Sequence, residues 1–314
     1  MNKNLATYSI PYVDQPLDFW EKIREKFQEH VKNVFFPIHP DIIGTGRPIQ
    51  PSKHLTEFLE SGLLPTSLLV NPIILPNKYE KLQKQILGNI ENYISCYHII
   101  GITVTNLDLA KDIRKNFPEL ELGASTLMEI RNQQQLVMIE DIFDVIVPST
   151  QVIRSLQKLE ALRSGFNGKI RILVNESCLP SCVYRTQHFF EMSSSSISYP
   201  SSLCNSLLEE KPWLRLTGSW ILPQHLYLLD GLFDEIKLSG RISLSNPDRY
   251  IHVLSAYLNR ETIYPNEIGG GPAAVYLPLP ITAEFYKTTL ECEKNCTDCN
   301  ICNGYWNKNA IDHE

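Results

Sequence analysis

An alternation runs through most of this chain and limits what it can fold into: short apolar runs rich in β-branched residues, each followed by a longer segment of helical periodicity. The runs begin at Asn33 (NVFFPIH), Thr66 (TSLLVNPII), Tyr97 (YHIIGITVT), Leu120 (LELGAS), Asp144 (DVIVPS), Lys169 (KIRILVNES), Trp213 (WLRLTGS) and Glu235 (EIKLSGR), eight in all. Between them, the segments 77–95, 107–116, 126–140, 150–165, 223–233 and 248–259 place apolar residues near i, i+3, i+4 and i+7 and read as amphipathic helices. Strands that are apolar on both faces, each followed by a helix, call for a parallel sheet under a helical layer. Eight such units in one chain fit a closed (β/α)8 TIM-type barrel, an α/β fold, better than an open doubly wound sheet. No GxGxxG follows the first run, which leaves the dinucleotide-binding variant little support. The segment from Leu17 to Val31 reads as an extra helix that plugs the barrel floor. After Asn259 the alternation stops, so the expected division is a barrel domain over 1–260 and an irregular cysteine-rich tail over 261–314.

Composition narrows the function classes. With 314 residues and 43% hydrophobic content the chain can bury a full core. The net charge of -6, without a long single-sign run, lacks the footprint of a nucleic-acid-binding surface. The N-terminus MNKNLATYSIPYVDQ has no apolar leader segment, and no stretch reaches the length of a membrane-spanning helix. The expected setting is therefore cytoplasmic, with no membrane partner. In a reducing compartment, crowded cysteines point to metal ligation more than to disulfides.

In a barrel the active site lies where strands end and the following loops begin. The residues at those positions are polar: His39, Asn71, Thr105, Asn106, Ser125, Ser149, Asn175, Glu176, Ser219, Lys237, Ser239 and Arg241. Strand ends and helix caps select Ser and Asn in any case, so Arg241 and His39 carry the most information. A guanidinium after the last strand suits an anionic substrate or donor.

The cysteines fall into two groups. Directly after the Lys169 strand comes Cys178-LPS-Cys182-VYRTQH, in a long connection that also contains Cys204, and long loops over a barrel mouth are usually functional. The tail supplies Cys292-EKN-Cys296-TD-Cys299-NI-Cys302, and spacers of two and three residues let thiolates converge on one ion or cluster. Both zinc and iron–sulfur use four thiolates; the compact run favours a [4Fe–4S] cluster, with zinc as the lesser alternative. If the tail thiolates serve themselves, Cys178, Cys182 and Cys204 form a second, three-ligand site with a coordination position to spare. One cluster shared by loop and tail is the competing arrangement. Beside the loop cysteines, Arg185 offers a fork for a carboxylate or phosphate and His188 a proton relay near neutral pH. Cys96, alone at a helix end, reads as packing.

The phrases ITVTNLDLAKDIRKNFPELELGAS, DVIVPSTQVIRSLQKLEALR, RILVNESCLPSCVYRTQHF and FDEIKLSGR, in that order and at barrel spacing, resemble the peptidase family U-32 superfamily of collagenase-like barrels. The resemblance runs from about Asn33 to Asn259. It implies a [4Fe–4S] cluster on four cysteines and, in one branch, oxygen-independent hydroxylation. Carried over residue by residue, it implies Cys178, Cys182 and Cys204 as cluster ligands and Asn175 and Arg241 as pocket residues. The chain departs from the family's peptidase signature, because NESCLPSCVYR has no glycine between its cysteines, and the four-cysteine tail is an addition.

The expected function is thus an iron–sulfur-dependent modification enzyme, an oxygen-independent hydroxylase in its most concrete form, acting on a small molecule, peptide or nucleobase. Arg185, His188, Arg241 and Asn175 are its candidate catalytic residues. Two other readings stand beside it. The tail CxxxCxxC matches the spacing of radical S-adenosylmethionine enzymes, although it lies after the barrel and Cys302 can fill the fourth position. The chain could instead be a non-catalytic iron–sulfur subunit serving a partner protein.

Overall fold

The computed structural model describes residues 6–38, 52–71, 79–139, 141–185, 187–188, 201–240, 243–269, 277 and 279–310. The strands β1 (Thr7–Pro11), β2 (Val31–Pro37), β3 (Thr66–Val70), β4 (Ile99–Val104), β5 (Glu121–Ala124), β6 (Val145–Ile146), β7 (Lys169–Leu173) and β8 (Glu235–Lys237) close into a parallel barrel in chain order. Thr7, Tyr8 and Ser9 of β1 lie beside Glu235, Ile236 and Lys237 of β8, which seals the ring.

The barrel expected from the alternation is present, but two of its expected elements exchange roles. The first strand is Thr7–Pro11, whose inward Thr7 and Ser9 are polar and hide it from a search for apolar runs. The Trp213 run is a 3-10 turn, Pro212–Thr217, with proline at its start. No strand could stand there, because β7 pairs directly with β8 through Arg171–Glu235 and Leu173–Lys237. With β1 in place, the helix α1 (Leu17–Phe27) is the ordinary crossover from β1 to β2 and not a floor plug. Its buried face, Phe19, Trp20, Ile23 and Phe27, packs outside the barrel. There Trp20 meets Phe58 at 4.7 Å between ring centroids, and Phe19 meets Tyr250 edge-on at 5.4 Å. Burying each such aromatic contributes about 1.5–3 kcal/mol.

Alternate strand residues face opposite ways. Ile170, Ile172 and Ile236 belong to the apolar layer between barrel and helices, so Arg171 and Glu235 face the interior. There they meet Lys32, Glu121 and Lys169 near the N-terminal ends of the strands. Arg171 pairs with Glu121 at 2.8 Å, Lys32 with Glu121 at 2.6 Å, and Lys169 with Glu235 at 3.2 Å. The Arg171–Glu235 pair is the most enclosed, with side-chain exposures of 3% and 2%. Gly101 makes room for this layer, since a Cβ at that position would stand 2.8 Å from the Glu121 carbonyl oxygen.

Beyond residue 260 the alternation ends but the core continues. Ile263, Ile268, Leu279, Ile281, Phe285, Tyr286 and Leu290 join the same buried cluster as the barrel helices. The segment expected to be irregular contains two helices, Ala283–Leu290 and Ile301–Asn309. Tyr286 donates its hydroxyl to the Trp220 carbonyl at 3.0 Å, and His225 Nε2 donates to the Ile281 carbonyl at 2.9 Å. Among the described residues, no helix is long and apolar enough to cross a membrane.

Candidate functional site

The tail thiols gather at one cavity. It is lined by Cys292, Cys296, Cys299 and Cys302, by Lys294 between them, by Arg154 and Leu216 from the barrel side and by Thr289 of the helix Ala283–Leu290. Within this run Lys294 adopts a left-handed φ of 67°, and Cys302 rides on the first turn of the helix Ile301–Asn309. Burial pushes the Cys302 thiol up to about 11; Arg154 pulls against this, while Cys292 and Cys296 add to it. Burial and the neighbouring Cys292 and Cys299 raise the Cys296 thiol as well. Burial and Arg154 lower the Lys294 ammonium, and the surrounding thiols act in the opposite sense. Thiols that raise one another in this way ionise together when a cation arrives, because metal binding displaces their protons. Among the described residues, no group of three or more His, Cys, Asp or Glu side chains is arranged to hold a metal ion.

The 3-10 turn Pro212–Thr217 is the element that the cysteine loop and the tail both touch. Both the helix carrying Cys204, Ser201–Glu210, and the helix carrying Cys302 pack on that turn. Cys204 is raised by burial and by Cys182, so these two thiols sense each other. Cys178 is half-buried, its amide donates to Glu176 Oε1 at 3.3 Å, and its carbonyl accepts from the Ser219 hydroxyl at 3.2 Å. The tail thiols likewise act on one another, Cys292 and Cys296 on Cys302 and Cys292 and Cys299 on Cys296.

Asn175 is fully buried and acts as a clamp at the mouth of the barrel. Its Nδ2 donates to the Ser239 and Ile268 carbonyls at 2.9 and 3.1 Å, and its Oδ1 accepts the Ser239 amide at 2.6 Å. It thus joins the ends of β7 and β8 to the segment that follows the barrel. Arg185 is 7% exposed and its Nε donates to Glu129 Oε1 at 2.7 Å, so the fork expected for an external anion is engaged with a carboxylate of the chain itself. His188 is half-buried on the same loop, its amide donating to the Tyr184 carbonyl at 2.8 Å. Arg241 and His39 lie outside the described residues.

Glu129 is a residue that sequence reasoning missed. It holds a left-handed φ of 56°, unusual for a non-glycine residue, and sits just after β5. Burial pushes its carboxyl up, but Arg185, the Ser149 hydroxyl and Arg131 outweigh it and hold the group below the usual carboxylate range. The Ser149 hydroxyl donates to Oε2 at 2.6 Å and Arg131 Nη2 to the same oxygen at 2.8 Å. Glu129 therefore latches the cysteine loop to the strand ends. Glu129→Gln should cost about 1.5–3 kcal/mol, the range for hydrogen bonds to charged groups, and should free the loop for proteolysis near Tyr184. An unchanged melting temperature and cleavage rate would remove the latch. Arg154 was missed as well, because it stands inside the helix-like phrase VIRSLQKLEALR; an arginine in an otherwise apolar Val-Ile-Arg turn was the available signal.

No protein-family model matches the chain. It is 27% identical over 212 residues to an uncharacterized protease of Methanocaldococcus jannaschii, across 62% of this chain and 61% of that protein. The chain thus spans about three fifths of the curated relative's length. Among solved structures it is similar to a U32 peptidase, with a TM-score of 0.54 and 12% identity, over 76% of this chain and 95% of that one. At that identity the likeness speaks to fold. The chain resembles the U32 peptidases, as its strand phrases indicate, and neither likeness separates out the iron–sulfur hydroxylase branch.

Proposed function

We propose that the chain is an iron–sulfur enzyme of the U32-like barrels, with Cys292, Cys296, Cys299 and Cys302 holding a [4Fe–4S] cluster in the tail. The observation that carries this reading is that those four thiols line one cavity together with a buried guanidinium, although their side chains as placed do not close around a single ion. The donor set fits: soft thiolates at short spacing, with cationic neighbours to offset their charge. Cys178, Cys182 and Cys204 form a second centre at the barrel mouth, where substrates bind in this fold. A cluster bound there supplies one-electron chemistry and, with three thiolate ligands, an open coordination position.

The chain's own residues do the rest. Glu129 and Arg185 tie the cysteine loop to the residues that follow β5 and β6, and Asn175 keeps the ends of β7 and β8 together. His188 is the group on the loop suited to moving a proton near neutral pH. Arg241, which follows β8 in the sequence, is assigned to an anionic substrate or donor. The substrate is a small molecule or peptide, and oxygen-independent hydroxylation is the most concrete reaction for such a site. Peptide hydrolysis, the activity in the relatives' names, is the second reading; the chain has no HExxH and no glycine between Cys178 and Cys182.

Anaerobic purification tests the assignment. The protein should be brown, absorb broadly in the visible and contain iron and sulfide in equal amounts, roughly eight irons for two cubanes and roughly four for one. Colourless protein with stoichiometric zinc would overturn it. Steady cleavage of a peptide by metal-free protein would establish the second reading.

A further inference from the structure

Arg154 is buried, yet among the described residues it has no carboxylate partner. It is 3% exposed. Nη1 donates to the Leu216 and Gly218 carbonyls at 2.7 Å each, and Nη2 donates to the Thr289 hydroxyl. The Trp220 and Tyr286 rings cover it, each centroid 4.9 Å from the guanidinium carbon. Its Nε is buried without a hydrogen-bond partner. A desolvated guanidinium is costly unless a negative charge lies near it. The ionisable groups facing it across the cavity are Cys292, Cys296, Cys299, Cys302 and Lys294.

We propose that Arg154 is the built-in counter-charge of the tail centre, a positioning residue that favours the more negative, reduced state of a cluster held there and so sets its reduction potential. This rests on the iron–sulfur reading of the tail. The neutral contacts to Arg154 fix where the charge stands without cancelling it. The carbonyls and hydroxyl hold both Nη atoms, and the two rings keep water off the guanidinium faces. A fixed cation in a low-dielectric setting acts strongly on a charge that changes by one electron. Arg154 also ties together three parts of the chain, the loop after β6, the turn before Ser219 and the helix Ala283–Leu290, so its charge keeps its place relative to the thiols.

The test uses the full chain, reconstituted anaerobically with iron and sulfide, as wild type and as Arg154→Gln, Arg154→Lys and Arg154→His. Iron content and melting temperature are measured first, then the midpoint potential by dithionite titration followed by electron paramagnetic resonance. Arg154→Gln should make reduction harder by at least tenfold in the equilibrium, a fall of about 59 mV for one electron. Arg154→Lys, which keeps the charge, should fall less. If the glutamine variant fails to load, Arg154→His carries the test, and its midpoint should fall as pH rises and the imidazole loses its proton. A fully loaded glutamine variant with the wild-type midpoint, or a pH-independent midpoint in the histidine variant, would overturn the proposal. So would equal loss of iron and stability in the lysine and glutamine variants, which would make Arg154 a staple whose shape matters and whose charge does not. Wild-type protein that holds no iron would sink the iron–sulfur reading itself, before any variant is compared.

Discussion

Glu235→Gln is expected to destabilise the barrel by about 3–5 kcal/mol, the range for breaking a buried ion pair by removing one partner. Arg171 and Glu235 are both almost fully enclosed, and Arg171 Nε donates to Glu235 Oε2 at 2.7 Å. Lys32 and Lys169 reach the same carboxylate at 3.5 and 3.2 Å. The amide variant keeps the shape but removes the carboxylate that Arg171, Lys32 and Lys169 share, leaving Glu121 to Arg171 and Lys32. Burial pushes the Glu235 carboxyl up, but Arg171, Lys32 and Lys169 together hold it below the usual range. A carboxylate depressed in the folded state stabilises the protein at pH values above its unfolded pKa, about 4.3, and loses that contribution as pH falls through the lower folded value. Wild type should therefore weaken below about pH 4, and Glu235→Gln should lack that part of its acid sensitivity. Urea unfolding of both proteins at pH 7 and pH 3.5 measures the difference. A loss under 1 kcal/mol at pH 7 would show that the interior layer is well hydrated.

Cys296→Ser and Cys299→Ser are expected to strip the tail of its metal. Structural thiolate sites bind zinc with about 10–16 kcal/mol. Shared among four ligands, that is about 2.5–4 kcal/mol for each thiolate, or roughly a hundredfold to several-hundredfold in affinity. Cys296 is exposed and Cys299 half-buried, so little packing is lost with either sulfur. Iron and sulfide content after gel filtration is the measurement, with Cys96→Ser as control, since Cys96 is exposed at the end of the helix Tyr79–Cys96. Full iron in the Cys296 and Cys299 variants would remove the tail from the metal assignment and leave the loop cysteines as the site.

Much of the fold was legible because its strands outside β1 carry apolar residues on the face toward the helices. Ile170, Ile172, Ile236, Ile102 and Val104 announce themselves in this way. β1 did not, since only its outward Tyr8 and Ile10 are apolar, and the Trp213 turn filled the gap with a pattern that pairing rules out. The candidate site divides in the same manner. Its cysteines were visible because thiolates at spacings of two and three residues can meet without help from the rest of the chain. Glu129 and Arg154 were not, because each acts on residues far away in sequence: Glu129 on Arg185, Arg154 on Thr289 and the tail thiols.

The sequence by itself determined the parallel barrel, the two groups of cysteines and the polar mouth, because periodicity and short spacers are local properties. Only the tertiary structure decided which run closes the ring, that the core passes beyond residue 260, that Arg185 and Asn175 are held within the chain, and that a buried guanidinium stands before the tail thiols. Those features depend on which residues meet across long loops. Closure of the ring sets those meetings, and no window of neighbouring residues contains them.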